Sequence, residues 1–402
     1  MRVFRINCIP DNLTTVHFMT KKLKRLPYAP NLAGTDPGTL FVQACMPRQF
    51  FSAGSLGIIK GDGVYMRHFG VHSRLPGDPR VETGDLSMYD IASVTKSVVA
   101  LVVLWAVTEN LMKLDDPVKK YLPLIKVPHG REPTVRDLLT YAARFQLDHW
   151  EKPYTGIPLK EMVSGLMSAD ILVGNMTHYS NYPPIVLAVI LESVTGRKLP
   201  DLCREVLFEP LGIFPTFNPA QSLEHVVATE AIGGVSYPGL VHDELTRAIG
   251  MVGAAGLFAT CEDLLCIARF ILDKGAIDGK QIIDPALIEQ MGTNHFDQGS
   301  RFGLGWGIWD EFANGYDPMT DTVGTVSLRG YNVGAIFKNG YSGCHLAIFP
   351  KIDTAVAVMT NRVHPDRSTS GQWINRFRHS VVMTCLTGIM PSGTNILWDK
   401  TS

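Results

Sequence analysis

Asp90-Ile91-Ala92-Ser93-Val94-Thr95-Lys96-Ser97-Val98-Val99-Ala100-Leu101-Val102-Val103-Leu104-Trp105-Ala106-Val107 holds the longest apolar helical stretch of the chain. From Val98 to Val107 it is apolar on every side, which marks a helix buried in a core. That run is too short to span a bilayer. Ser93 and Lys96 stand one helical turn apart on one face, so the amine can reach the hydroxyl. A serine and a lysine at the mouth of a rigid buried helix form a nucleophile that needs no histidine.

Outward from this helix the pattern changes character in both directions. Upstream, Gly54 to Lys60, the turn Gly61-Asp62-Gly63, and Val64 to Gly70 read as a β-hairpin. Residues 39–50 suit a short helix, and 1–37, with Pro10, Pro27, Pro30 and Pro37, read as an N-terminal extension that wraps the body. Downstream, Leu114 to Val118 reads as a turn into a helix. Thr134-Val135-Arg136-Asp137 and Thr260-Cys261-Glu262-Asp263 read as capped helix starts. Pro183 to Val194 reads as a helix stopped by Gly196. Strands are expected over Phe302 to Trp309, Val333 to Phe337, His345 to Phe349 and Ala355 to Met359, followed by a terminal helix over Gln372 to Leu386.

Strands at both ends with helices between them imply an α/β (α+β) fold: an antiparallel sheet flanked by helices, built from both chain ends, with an inserted all-helical lobe. The expected division is 1–37 as extension, 38–92 plus 301–402 as the α/β lobe, and 93–300 as the helical lobe, with the active site between the lobes.

Composition narrows the function. The chain has 402 residues, 46% of them hydrophobic and 19% charged, with a formal net charge of -1. That balance gives no electrostatic case for a nucleic-acid or membrane partner. The cluster Lys21-Lys22-Leu23-Lys24-Arg25 reads as a solvated face or tail. The 7 cysteines are scattered without a C-x-x-C, so reduced thiols are expected, and no metal or cofactor site is indicated. Met1 to Thr20 lacks a signal-peptide core, from which a cytoplasmic location is expected.

Two further patterns join Ser93-x-x-Lys96. Tyr179-Ser180-Asn181 is the only Tyr-x-Asn in the chain, and Lys338-Asn339-Gly340 the only Lys-x-Gly. Each alone has a plainer use: a helix cap with a solvated lysine, a loop with a tyrosine anchor, a surface turn. All three in this order, each on a suitable element, point to chemistry. No Gly-x-Ser-x-Gly, His-Glu-x-x-His or Walker A loop is present. His178, beside Tyr179, is the histidine to watch. Trp150, Tyr154, Trp306 and Trp309 are candidates for an acyl pocket, with buried core the plainer use of each.

The order Ser-x-x-Lys, Tyr-x-Asn, Lys-x-Gly resembles the signature of the penicillin-recognising serine hydrolases, of the serine β-lactamase and penicillin-binding-protein-like superfamily. The chain looks most like the branch with class C β-lactamases, D,D-peptidases and family VIII carboxylesterases. Asp90-Ile91-Ala92, Leu114-Asp115-Asp116-Pro117-Val118, Thr134 to Leu139, Gly303-Leu304-Gly305-Trp306-Gly307 and Thr360-Asn361-Arg362 are similar to phrases of that branch. The resemblance runs from about residue 50 to the end of the chain and implies a β-lactamase/transpeptidase-like fold. Where the branch usually has His-Thr-Ser-Gly, this chain has Tyr141-Ala142-Ala143-Arg144. Asn339 replaces the usual hydroxyl residue, and Tyr182-Pro183-Pro184 stiffens the loop after Asn181.

The expected reaction is cleavage of a small-molecule ester or amide through a Ser93 acyl-enzyme. Lys96 and Tyr179 are both available as base, and which one removes the proton stays open on residue chemistry alone. The resemblance implies Tyr179 assisted by Lys96, and backbone N–H groups of Ser93 and Tyr341 as the oxyanion hole. Asn181, Lys338, Asn339 and Gly340 are expected to bind substrate. Asn181 would bond the acyl side chain or Lys96, and Lys338 would hold a substrate carboxylate as a point charge. A carboxylesterase is the leading expectation. The alternatives are a β-lactamase, D,D-peptidase or D-aminopeptidase-type amidase, an acyltransferase in small-molecule biosynthesis, and a non-catalytic binding protein on the same fold.

Overall fold

The structure, a computed structural model, describes residues 24–25, 50–146, 170–250, 253–296, 302–309, 312–313, 326–327, 333–369 and 371–387. Among these, the main sheet has seven strands. They are β1 (Lys24–Arg25), β2 (Ala53–Lys60), β3 (Gly63–Gly70), β4 (Gly307–Ile308), β5 (Ile336–Asn339), β6 (His345–Phe349) and β7 (Thr354–Thr360). Their order is β1-β3-β2-β7-β6-β5-β4, antiparallel except where β1 meets β3. The chain ends join at β2 and β7, which pair from Thr354 opposite Lys60 to Thr360 opposite Gly54. The hairpin turn falls at Gly61, whose φ of 57° suits glycine.

The helices that position the site are α1 (Thr95–Thr108), α2 (Val135–Leu139), α3 (Tyr182–Thr195), α4 (Glu244–Ile249), α5 (Cys261–Leu272) and α6 (Gly371–Thr387). Capping boxes at Thr134 with Asp137 and at Thr260 with Asp263 start α2 and α5, as their spacing predicts. Gly196 ends α3 in the left-handed region.

Period-two alternation on β7 serves two cores. Ala355, Ala357 and Met359 join the larger core with α1, α3 and α5. Val356 and Val358 face the other way, into a second core with Trp373, Phe377 and Val382 of α6. A Cβ on Gly57 would come within 2.7 Å of Cys261 Sγ and Leu265 Cδ1, so glycine there lets α5 lie close on the sheet. Trp306 belongs to the larger core and Trp309 to the second, which is the plainer of their two expected uses.

The expected elements differ from the structure in several places. Of Phe302 to Trp309 only Gly307 and Ile308 form a strand, because Gly303-Leu304-Gly305 turns; a Cβ on Gly303 would strike the Met291 carbonyl oxygen at 1.9 Å. The strand expected over Val333 to Phe337 starts at Ile336 and continues through the polar Lys338 and Asn339, paired with Leu346 and His345. Leu114 to Val118 leads only into a single 3-10 turn, Val118–Lys120, with the Asp116 carboxylate accepting from the Lys113 amide and the Tyr121 hydroxyl. The inserted segment is not purely helical: Ala143–Gln146 pairs with Asp170–Val173. Lys24 and Arg25 of the basic cluster pair with Gly63 and Val64 at the sheet edge. The helix expected over 39–50, apart from Phe50, and the candidates Trp150 and Tyr154 lie outside the described residues.

Candidate active site

The nucleophile position is built on a strained turn. A short 3-10 segment, Ala92–Val94, runs directly into α1. Ala92 has φ 46°, a conformation unfavourable for a residue with a Cβ. Asp90 offsets that strain: its carboxylate accepts the Ala92 N–H at 2.8 Å and the His242 N–H at 2.7 Å. Burial pushes this carboxyl up to about 6, against the pull of those two N–H groups. Ser93 thus sits at the end of a helix whose side chains are buried along nearly its whole length.

Lys96 Nζ lies 2.8 Å from Ser93 Oγ and 2.6 Å from the Ala254 carbonyl oxygen. Burial pushes this amine down to about 7, and the charge of Asp243 works in the opposite direction. A large share of Lys96 is therefore a neutral amine near neutral pH, able to accept a proton.

Tyr179 hydrogen-bonds Ser93 through its hydroxyl, and burial pushes its phenol up to about 12 while the Ser93 bond pulls it down. The residue is nevertheless 48% exposed, which places its open area on the ring and its hydroxyl inward. Lys96 and Lys338 stand 5.6 and 5.1 Å from the ring centroid. Burial pushes both lysines toward their neutral forms and Tyr179 toward its phenol.

Lys338 faces the cleft from β5, 3% exposed. It donates to Tyr141 Oη at 2.9 Å and to the Gly305 carbonyl at 3.1 Å. Burial, with the Lys96 charge beside it, pushes Lys338 well below the usual lysine range. Tyr141 is the residue that sequence reasoning missed. It appeared only as a departure from a familiar phrase, yet it bonds Lys338, and its ring centroid lies 5.0 Å from that of Tyr179 and 4.9 Å from that of Phe302. His178 contributes through its backbone N–H, which donates to the Tyr141 carbonyl at 2.7 Å.

The remaining expected residues divide. Asn181 caps α3 beside the cluster, but its Nδ2 donates to Asp243 Oδ2 at 3.3 Å. Asp243 carried no sequence signal beyond a helix cap for α4. Asn339 points to the opposite sheet face from Lys338 and bonds His345 Nδ1 at 2.7 Å through its Oδ1. It does not join the cluster; the alternation of β5 turns it away.

Gly340 begins the turn after β5. A Cβ there would lie 2.4 Å from the Ile91 carbonyl oxygen, so only glycine lets this turn approach the backbone leading to Ser93. Arg378 of α6 donates to the carbonyls of Gly340 and Gly343, and Arg362 donates to the Tyr341 carbonyl at 2.7 Å. In a planar trans peptide the C=O and the next N–H point in opposite directions. Holding the Gly340 carbonyl toward Arg378 therefore turns the Tyr341 N–H away from it. The Tyr341 ring is half-exposed, stacked on His242 at 5.3 Å between centroids, with the Arg362 guanidinium 4.2 Å from its centroid.

Among the described residues, no three His, Cys, Asp or Glu side chains group as a metal site, and no helix is long and apolar enough to cross a membrane. The arrangement is a serine hydroxyl with an amine and a phenol in reach.

Comparison with known proteins identifies the family and the fold. Residues 41–379 match the model of the Beta-lactamase family. A putative D-alanyl-D-alanine carboxypeptidase of Salmonella enteritidis is 27% identical over 313 residues, covering 69% of this chain and 70% of the relative. A class C beta-lactamase from Rhodobacter sphaeroides superposes with a TM-score of 0.68 at 17% identity, covering 88% of this chain and 100% of the other. EstCE1, a hydrolase with promiscuous acyltransferase activity, superposes with a TM-score of 0.67 at 18% identity, covering 86% and 97%. The two structural likenesses speak to the fold.

Proposed function

The chain belongs to the Beta-lactamase family of serine hydrolases, and from that premise we propose that it is a carboxylesterase acting on small-molecule esters through a Ser93 acyl-enzyme. The observation that carries this reading is the 2.8 Å contact between Lys96 Nζ and Ser93 Oγ, with the amine held near neutrality by burial. In this scheme Lys96 takes the Ser93 proton as the oxygen attacks the ester carbonyl. The Ser93 and Tyr341 N–H groups receive the oxyanion, each donor worth roughly 3–4 kcal/mol of barrier. Tyr179 stays a phenol and passes a proton to the departing alkoxide, and Lys96 returns its proton to the Tyr179 oxygen. Water then attacks the acyl-enzyme, with the same groups acting in reverse. Esters are the less demanding substrates for this machinery, because an alkoxide is a better leaving group than an amide nitrogen.

Acyl transfer to an alcohol or amine is a second reading. It is favoured by the half-open Tyr179 and Tyr341, which leave room for an acceptor to compete with water.

The test is incubation with a fluorophosphonate and with short nitrophenyl esters, wild type beside Ser93→Ala, with nitrocefin in a parallel well. Labelling and turnover that vanish in Ser93→Ala support the reading. Turnover that survives in Ser93→Ala removes it, and nitrocefin hydrolysis outpacing the esters replaces the esterase with a β-lactamase. Product partition with added alcohol measures the transfer reading.

A further inference from the structure

Lys338 occupies the place where a cation would hold a substrate carboxylate, but its surroundings already engage it. Its Nζ donates to Tyr141 Oη at 2.9 Å and to the Gly305 carbonyl at 3.1 Å. It also lies 4.9, 5.1 and 5.5 Å from the ring centroids of Tyr141, Tyr179 and Phe302. This aromatic cage leaves Lys338 buried, and a carboxylate reaching the amine must give up its own hydration and compete with a phenol and a carbonyl already bonded to it.

Tyr141 is itself fixed in place. It holds φ 60°, unusual for a bulky residue, with its N–H donating to the Leu138 carbonyl at 3.3 Å and its carbonyl accepting from His178. A strained backbone maintained between two such bonds points to a function for the side chain it aims. Among the described residues, four arginines on neighbouring segments are committed as well. Arg362 and Arg378 donate to backbone carbonyls, Arg247 to the carbonyls of Val241 and His242, and Arg367 pairs with Glu230 and Glu244. Asp243, joined to Asn181, adds negative charge on the Lys96 side of the cleft.

We propose, resting on the Ser93 reading above, that Tyr141 is a specificity-determining residue: it locks Lys338 into the cleft wall, so the site takes uncharged acyl groups and discriminates against acyl groups bearing a carboxylate. Lys338 then acts by position and polarity on the reacting centre, not as a carboxylate receptor. The aromatic faces of Tyr179 and Phe302 supply contact for the uncharged acyl chain.

The experiment compares nitrophenyl butyrate with mono-nitrophenyl glutarate, two activated esters whose acyl chains differ chiefly in a terminal carboxylate. Wild type, Tyr141→Phe and Lys338→Met are assayed at one pH and ionic strength, with Ser93 labelling measured in parallel. Wild type should favour the butyrate by about tenfold or more in kcat/KM, the discrimination expected when a charge must be desolvated against an amine already engaged by Tyr141 and Gly305. Lys338→Met should lower both esters by the same factor. Tyr141→Phe, which releases one Lys338 bond, should narrow the preference by roughly threefold or more. A wild-type preference for the glutarate overturns the proposal without reference to any variant. So does selective loss of the glutarate in Lys338→Met. Absence of both ester turnover and Ser93 labelling in wild type overturns this inference together with the hydrolase reading, whereas labelling with a glutarate preference overturns this inference alone.

Discussion

Arg378 on α6 donates to the carbonyl of Gly340, the first residue of the turn that faces Ser93. The same guanidinium bonds the Gly343 carbonyl at 3.2 Å and Asn375 Oδ1 at 3.0 Å. A helix from the far face of the sheet thus fixes the peptide plane from which the Tyr341 N–H projects. Replacing Arg378 by methionine keeps much of the apolar stem but orphans the Gly340 and Gly343 carbonyls. We expect kcat on a short nitrophenyl ester to fall by about 10–100-fold with KM changed by less than about threefold, the pattern of an interaction made mainly in the transition state. A raised KM with kcat intact would show that the turn serves binding instead.

The pH dependence follows from Lys96. Its amine, pushed down to about 7 by burial, must be neutral to accept the Ser93 proton. Activity should therefore be low below that value and rise as pH climbs through it, and kcat/KM against pH should show one ascending limb centred near 7. Tyr179, pushed up to about 12, stays protonated across the range. Were a Tyr179 phenolate the base, activity would keep climbing through the alkaline range. Lys96→Ala should cost roughly 10²–10⁴-fold, the usual worth of a positioned base.

Asp90 offers a different check. One oxygen accepts from Ala92 and the other from His242, so both oxygens must be acceptors. Asp90→Asn turns one acceptor into an NH2 group that faces an N–H. The lost bond and the relieved burial of a charge oppose each other in stability. The turn carrying Ser93 loses its brace either way. Thermal unfolding should move only a few degrees, while fluorophosphonate labelling should slow by about tenfold or more. A normal labelling rate would show that Ala92 needs no such support.

Gly340→Ala tests the close approach of the turn to the backbone leading to Ser93. The added Cβ would sit 2.4 Å from the Ile91 carbonyl oxygen, a backbone atom with little freedom to withdraw. Overpacking of this kind costs about 1–3 kcal/mol. Chemical denaturation should report that loss, and ester turnover should fall by more than stability alone accounts for, because the two segments forced apart each carry one of the proposed oxyanion donors.

The large elements were legible because local chemistry dictates them. The apolar run from Val98 is buried through Leu104, Thr134 and Thr260 start helices with their acidic partners, and the Gly61 turn closes a hairpin between β2 and β3. Ser93 and Lys96 were legible as a pair for the same reason, since helical spacing alone brings them together. Asn339 was misjudged because a motif groups neighbours in sequence, whereas a strand sends them to opposite faces.

The residues themselves determined the helices, the hairpin of β2 and β3, and the Ser93–Lys96 contact, because each depends on interactions within a few positions along the chain. Only the folded arrangement decided that Tyr141 holds Lys338, that Asp90 braces Ala92 against the 242 segment, and that Arg378 orients the turn at Gly340. Those bonds join positions 38 to 197 residues apart. The same burial that closes them also moves the titrating groups, and burial belongs to the packed molecule and not to any stretch of its sequence.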